Sequence, residues 1–282
     1  MTIRRALFIA LTLLIATATG ISVAASDQVL ITATGSSTIA PLMSELGKAF
    51  EKANPQVRID VQSGGTSRGI TDVRQGSARF GMVSRALHPD EMDLESVLIA
   101  KDGVSMIVHQ SNPVKMLTRE QIISIYTGMT KNWKEVGGPD LPITVISKAE
   151  GRSTLEVFSQ YFGLTSRNIK AQIIIGDNQQ EIRTVSTNKG AIGYVSIGSA
   201  EYEASHGTPI KMVQLGNFVP STQTVTSGEY PICRDLNLVY RKPLNKEESA
   251  LLNFVTSPAA KKEIEAQFFI PVSTNVALGS RK

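Results

Sequence analysis

The sequence predicts an α/β fold built around a mostly parallel sheet. From Ser26 onward, short β-branched runs alternate with amphipathic helical runs, which is the pattern of strands joined by crossover helices. The 282 residues are 41% hydrophobic and 19% charged, a globular composition that is long enough for one large domain or two modest ones. The single cysteine, Cys233, excludes an internal disulfide framework and a cysteine-rich zinc cluster.

The N-terminal segment has the layout of a secretory signal peptide. Arg4 and Arg5 precede an apolar run at 6–16, and small residues follow up to Ala24 and Ala25. The apolar run is shorter than the roughly 20 residues that a membrane span needs. We therefore expect cleavage near Ala24 or Ala25, with residues 1–25 removed on export.

Charge and histidine content exclude two classes of function. Two of the 29 basic residues lie in the predicted signal peptide, which leaves a net charge of +2 against the 25 acids. So small an excess gives no reason to expect a nucleic-acid partner. The three histidines are far apart and form no H-E-x-x-H pattern, and we expect no metal or other cofactor.

The region 27–84 predicts a βαβαβ unit. The segment 29–34 is apolar and β-branched, and the alternation in 57–61 and the apolar run 80–84 predict two further strands. Apolar residues at helical spacing up to Phe50 predict the first helix, which ends at Asn54-Pro55, and a shorter helix follows the second strand.

The rest of the chain continues the alternation with less regularity at 209–226. The Thr118–Gln121 segment fits a capping box that opens a helix. A helix also follows the loop at 151–154, and two C-terminal helices are separated near Ser257-Pro258. Further strands are predicted at 103–109, 141–146 and 236–240, with an α/β pair at 173–196.

Three loops share one design: each follows a predicted strand, opens a predicted helix and is rich in glycine and hydroxyl groups. They are Gly35-Ser36-Ser37-Thr38, Gly64-Gly65-Thr66-Ser67 and Gly151-Arg152-Ser153-Thr154. Free N–H groups and the helix dipole favour a small oxyanion at such a position. For one loop alone, simple capping by serine or threonine explains the pattern. Three such loops favour binding, because open α/β sheets bind ligands at the carboxyl ends of their strands.

A hydrolase is the competing interpretation of the second loop. Gly65–Gly69 matches G-x-S-x-G, the nucleophile elbow, with Ser67 as the nucleophile and His109 or His206 downstream. The match is short, and only two strands precede it. Neither G-x-G-x-x-G nor a P-loop occurs, so the loops do not predict a nucleotide site.

A set of motifs along nearly the whole mature chain adds a resemblance. These are TGSST with Pro41, GGTSRGI, FGMVSR, LTREQIISIYTG, NWKEVGG, EGRST, GAIGYVS and YPICRDLNLVY. In this combination the chain resembles the substrate-binding protein of the high-affinity phosphate ABC importer. The resemblance implies a type II periplasmic binding protein with two α/β lobes, 26–106 plus 236–282 and 107–235. It also implies hinge-crossing strands near 103–109 and 230–240.

The resemblance also implies a set of phosphate ligands. They are Ser36, Ser37, Thr38, Thr66, Ser67, Ser84, Arg85, Lys148, Gly151, Arg152, Ser153 and Thr154. Many members have arginine at the position of Lys148, and some have aspartate at the turn of Ser84-Arg85. Such an acid can accept a proton from phosphate and reject sulfate, a role left here to Glu150 or Asp72. Arg152 either enters the cleft or folds back onto Glu150.

The function expected from the resemblance is phosphate transport without catalysis. A monomeric periplasmic protein would close its lobes around phosphate and present it to the transmembrane permease of an ABC importer. The alternatives are a binding protein for another oxyanion, a phosphate-sensing module without a transport role, and a secreted serine hydrolase that uses Ser67.

Overall fold

The computed structural model describes residues 28–272, and the predicted signal peptide lies outside the described residues. The strands are β1 Val29–Gly35, β2 Val57–Ser63, β3 Phe80–Val83, β4 Glu95–His109, β5 Met116–Leu117, β6 Thr144–Lys148, β7 Ile173–Ile175, β8 Ala191–Ser196, β9 Ile210–Met212, β10 Gln214–Leu215, β11 Cys233–Tyr240 and β12 Ile270–Pro271. The α-helices are α1 Ile39–Ala53, α2 Thr66–Gln75, α3 Arg119–Tyr126, α4 Ser153–Phe162, α5 Asn178–Thr187, α6 Ile197–Ser205, α7 Thr222–Ser227, α8 Lys246–Val255 and α9 Lys261–Ala266. Within residues 28–272, no helix is long and apolar enough to cross a membrane.

The predicted βαβαβ unit is confirmed. β1 pairs in parallel with both β2 and β3, so their carboxyl ends meet at one edge of the sheet. α1 buries the apolar face that the spacing predicts, from Ile39 to Phe50, and ends at Asn54. This places the loops that follow β1, β2 and β3 side by side.

Two long strands join the halves of the molecule. β4 has 15 residues, so the strand predicted at 103–109 is only its second part. Its first part pairs antiparallel with β11, and its second part pairs antiparallel with β8. The main sheet therefore runs continuously in the order β2-β1-β3-β11-β4-β8-β6-β7.

The strand predicted at 141–146 begins later than expected, at Thr144. Pro142 lacks an N–H group, so it cannot donate to a sheet ladder. It forms an isolated antiparallel bridge with Asn132 instead.

The hydrophobic interior is divided into two main cores. One contains residues between Ile31 and Ala100 and between Leu236 and Phe269. The other contains residues between Val104 and Ile232. The change from one core to the other occurs on β4 and on β11, which makes the fold two-lobed. The boundaries at 106/107 and 235/236 stay a prediction.

A substitution at Gly35 tests how tightly the carboxyl end of β1 packs against β3. Gly35 has φ +131°, and a β-carbon there would lie 2.4 Å from the backbone oxygen of Met82. We expect Gly35→Ala to lower the free energy of unfolding by at least about 3 kcal/mol, because both conformation and space exclude a side chain.

Gly76→Ala is the matched control, since Gly76 has φ +76° with nothing within 4 Å of the added carbon. Only the left-handed conformation is unfavourable there, at about 1–2 kcal/mol. Urea unfolding compares the two variants. Equal losses would contradict the packing argument.

Candidate functional site

Six buried hydroxyl side chains converge where the two lobes meet, and we call them the hydroxyl cluster. They are Ser36, Thr38, Thr66, Ser84, Ser153 and Thr154, each at most 4% exposed. Ser84 Oγ lies 2.7 Å from Ser36 Oγ and 2.6 Å from Ser153 Oγ on the opposite lobe. Thr66 Oγ1 accepts from the Ser84 amide at 3.3 Å. The structure thus brings together six of the twelve predicted ligands through their side chains.

The helices that begin at these loops lack side-chain caps. α1, α2 and α4 have no side-chain hydrogen bond at their N-caps. By contrast, the N-cap side chain accepts a backbone hydrogen bond at the start of α3, α5, α6, α7 and α8. Five of the seven hydroxyls in the three loops instead contact Ser84, Asn178 or Arg234, although Ser36 Oγ also accepts from the Thr38 amide at 3.1 Å. This distribution argues against the simple capping interpretation.

Arg234 on β11 connects the hydroxyls of both lobes. Its Nη2 donates to Thr38 Oγ1 and its Nη1 to Thr154 Oγ1, both at 3.0 Å. Asp102, directly opposite on β4, accepts from Nε at 3.0 Å and from Nη2 at 2.7 Å. Four of the five guanidinium N–H groups are thereby used, and one Nη1 hydrogen is left for another acceptor. Sequence reasoning missed this residue, although it lies in the YPICRDLNLVY motif.

Asn178, the first residue of α5, is the second residue that sequence reasoning missed. It is 1% exposed, and its Nδ2 donates to Thr38 Oγ1 at 3.1 Å across the lobes. Its Oδ1 is buried and has no hydrogen-bond partner among the described residues.

Lys148 occupies a different position from the one expected. Its ammonium is buried and forms an ion pair with Glu181, whose Oε1 accepts from the Tyr194 amide at 2.8 Å. Burial lowers the pKa of Lys148, although Glu181 opposes this, and burial raises the pKa of Glu181. The contacts give Lys148 a role in a buried pair, and they do not support its prediction as a direct ligand.

The Arg85 side chain is also turned away from the hydroxyl cluster. It donates to Glu91 at 2.6 and 2.8 Å, and Nε lies 2.6 Å from Glu156 on α4 of the other lobe. Burial would raise the pKa of Glu91, but the hydrogen bonds from Arg85 and His88 lower it. Arg85 therefore joins the lobes beside the cluster.

The remaining predicted residues lie at the rim. Ser37 is half-buried and Ser67 is exposed, while the Ser67 amide lies 3.4 Å from the carbonyl oxygen of Gly151 across the cleft. Arg152 is half-buried and packs over Gly65, where an added β-carbon would lie 2.8 Å from its Cδ. Burial lowers the pKa of Arg152 in spite of Asp177. The side chain lies at the rim, between Gly65 of the other lobe and Gly176 of its own, and its entry into the cleft as a phosphate ligand stays a prediction.

The histidines of the hydrolase interpretation are held by their own neighbours. His109 Nδ1 lies 2.8 Å from Ser111 Oγ, and His206 Nδ1 lies 2.7 Å from the carbonyl oxygen of Tyr202. Between residues 28 and 272, no hydrogen bond joins a histidine to Ser67. The same part of the chain contains no group of three or more His, Cys, Asp or Glu residues that could hold a metal ion.

A family model assigns the fold. The model of the PBP superfamily domain matches residues 22–259. The chain belongs to the PBP superfamily. The predicted two-lobed α/β fold of a periplasmic binding protein is thereby confirmed.

Individual relatives of this PBP chain are phosphate-binding proteins by name. The phosphate-binding protein PstS of Bacillus subtilis is 28% identical over 256 residues, covering 86% of this chain and 81% of the relative. PstS of Borreliella burgdorferi is 24% identical over 258 residues, covering 88% of this chain and 92% of the relative.

Solved structures agree with this PBP assignment. A putative phosphate ABC transporter substrate-binding protein with bound phosphate from Clostridium perfringens has a TM-score of 0.80 and 31% identity, covering 86% of this chain and all (100%) of that one. An ABC-type phosphate transport receptor from Vibrio cholerae has a TM-score of 0.69 and 30% identity over the same shares.

The Lys148–Glu181 pair provides a test of its structural role. We expect Glu181→Gln or Lys148→Met alone to cost about 3–5 kcal/mol, because each leaves one buried charge unpaired. The double variant Lys148→Met with Glu181→Met should recover most of this loss. Denaturant unfolding measures the three variants. A double variant as unstable as the singles would contradict the pairing argument.

Proposed function

We propose that this chain binds inorganic phosphate between its lobes and delivers it to the permease of an ABC importer. The observation that supports this best is the convergence of the hydroxyl cluster, three uncapped helix starts and the free Nη1 hydrogen of Arg234. Such an arrangement offers many donors in a buried space, which is what a small oxyanion requires. The phosphate-binding relatives named above support the same ligand.

The proposed ligands combine hydroxyl and backbone donors. Hydroxyl groups come from the six residues of the hydroxyl cluster, and backbone N–H groups come from the loops around Ser37, Ser67 and Gly151. Arg234 provides the charged donor inside the site, and Arg152 provides a cation at its rim. Hydrogen bonds to a charged group contribute about 1.5–3 kcal/mol each, so a few offset desolvation and reach the −8 kcal/mol of a micromolar site.

Entry of the anion requires the lobes to separate. Ser84 and Ser153 meet across the lobes, as do Thr38 and Asn178, so the hydroxyl cluster is closed to solvent. β4 and β11 carry the chain between the two cores and provide the hinge. The Arg85–Glu156 ion pair favours the closed arrangement, which is the form that a permease can distinguish from the open one.

The proposal includes export and a monomer. Cleavage of the predicted signal peptide would leave a periplasmic protein that starts near Ala25 or Ser26. A binding protein for another oxyanion would prefer a ligand other than phosphate. A phosphate-sensing module would bind phosphate but would have no permease partner. The hydrolase interpretation is tested by active-serine labelling of Ser67.

Titration calorimetry with phosphate tests the site directly. We expect Ser84→Ala to weaken phosphate binding about 10- to 100-fold, because Ser84 joins the hydroxyls of both lobes and each lost donor is worth about a factor of ten or more.

Ser67→Ala is the matched comparison, because the Ser67 side chain is exposed, and we expect it to change the affinity less than threefold. Normal binding by Ser84→Ala would place the site elsewhere. A wild-type protein that binds no phosphate at millimolar concentration would overturn the proposed function itself.

A further inference from the structure

The end of helix α9 departs from the pattern of three other helices. α2, α4 and α7 each end at a glycine in the left-handed conformation, and these are Gly76, Gly163 and Gly228, with φ of +76°, +70° and +78°. α9 is followed by Phe268 with φ +57°, and Phe268 is the one residue other than glycine with a positive φ between residues 28 and 272. A side chain makes this conformation unfavourable, because its Cβ approaches the following carbonyl oxygen.

Two hydrogen bonds show that Phe268 occupies a position where glycine is usual. Its amide donates to the carbonyl oxygen of Glu265 at 3.0 Å, and the Phe269 amide donates to that of Ile264 at 3.1 Å. These bonds form a Schellman motif, which places a glycine at this position in most helices. A local rule is broken here, so we expect the Phe268 ring to make a contact that glycine cannot make.

That contact is with the other lobe. α9 belongs to the lobe of the first core, whereas α6 and α7 belong to the lobe of the second. The half-buried Phe268 ring packs edge to face with Tyr202 of α6, at 6.4 Å between ring centroids and 81° between planes. The Thr222 hydroxyl of α7, which also donates to Glu201, lies 3.2 Å from the Phe268 carbonyl oxygen.

The residues after Phe268 pass from one lobe to the other. Phe269 is buried in the first core, and the next residue, Ile270, packs against the second. β12 then pairs antiparallel with β4. The segment 267–271, which we call the C-terminal strap, is therefore a third connection between the lobes, beside β4 and β11.

Gly198, at the start of α6, lets the strap lie close to the support of the proposed anion site. A β-carbon there would lie 2.6 Å from the Phe268 carbonyl oxygen and 2.8 Å from Phe269 Cε1. The Gly198 amide donates to Asp102 Oδ1 at 3.3 Å, and Asp102 is the partner of Arg234. The strap thus contacts the second lobe at the residue that helps to hold Asp102.

We propose that Phe268 is an inter-lobe clamp: its ring packs on Tyr202 while the lobes are closed, which stabilises the closed form and slows the release of a bound anion. The contact joins two lobes that separate on opening, so it acts on the equilibrium between open and closed forms. The inference rests on the proposed function only for its ligand readout.

The test is stopped-flow measurement of phosphate association and release on the wild type, Phe268→Ala, Phe268→Gly and Tyr202→Leu. Loss of an edge-to-face aromatic pair changes an equilibrium about two- to tenfold, so we expect each variant to release phosphate faster by that factor. The association rate should stay at the wild-type value, because the clamp forms after the anion has entered. The double variant Phe268→Ala with Tyr202→Leu should release phosphate no faster than the faster single variant, since both changes remove one contact.

Melting temperatures separate the clamp from simple packing. Phe268→Gly should melt above Phe268→Ala, because both lack the ring and glycine adopts the left-handed conformation without strain. Phe254→Ala is the matched control: Phe254 is a half-buried phenylalanine of the same lobe whose ring lies 5.7 Å from that of Phe50 in the same core. We expect it to lower the melting temperature and to leave phosphate release unchanged.

Three results overturn the inference while leaving phosphate binding intact. One is a wild-type release rate in both Phe268 variants. The second is a change confined to the association rate. The third is a double variant whose two effects multiply, which would show that Phe268 and Tyr202 act independently. A wild type that binds no phosphate contradicts the proposed function instead. Small-angle scattering of the ligand-free proteins then tests the clamp, since a larger radius of gyration in Phe268→Ala supports it and the wild-type radius overturns it.

Discussion

The ion pair between Arg234 and Asp102 is the interaction on which the rest of the site depends. The two residues face each other on β11 and β4, the strands that carry the chain between the two cores. A buried guanidinium without a partner is strongly unfavourable, so Asp102 is what permits a cation at the junction. Because Asp102 holds the Nε edge, the Nη edge is left for Thr38 of one lobe and Thr154 of the other. When the lobes close, the Arg234 guanidinium therefore gains hydrogen bonds to both of them.

The helix starts around this pair show where the fold gives up stability for function. A serine or threonine N-cap contributes about 1 kcal/mol, and α1, α2 and α4 forgo it although their loops contain suitable residues. Their hydroxyls instead form a chain from Ser36 through Ser84 to Ser153, and their N-terminal N–H groups keep the positive ends of three dipoles directed at the lobe junction. Helices away from the junction, such as α3 with its Thr118–Gln121 capping box, are capped in the ordinary way. Among the described helices of eight or more residues, the three without a side-chain cap all begin at the lobe junction, which is typical of a functional site.

Sequence reasoning located the loops but not the partners of the charged residues. Periodicity and turn residues were sufficient for the first βαβαβ unit and for the capping box, because these signals are local. Arg234 and Asp102 are 132 positions apart, and Lys148 and Glu181 are 33 apart, so only the folded sheet shows which cation pairs with which acid. The resemblance implied that Lys148 is a ligand, and only the fold shows that Glu181 lies beside it. Asn178 carried no signal of its own, since it follows Asp177, an ordinary N-cap.

The pairing of these charges also decides how the site can discriminate. Arg234, Lys148 and Arg85 are each matched by buried acids, so their net charge at the lobe junction is small. Attraction at a distance is left to cations at the rim, Arg152 among them, and such attraction acts on any anion and is screened by salt. Inside, directed hydrogen bonds from hydroxyls and amides replace the hydration shell. A directed bond depends on whether each ligand oxygen carries a proton, whereas a charge does not. Hydroxyl and amide groups held in fixed directions can therefore respond to the position and protonation of each ligand oxygen, which a cluster of unpaired cations cannot do.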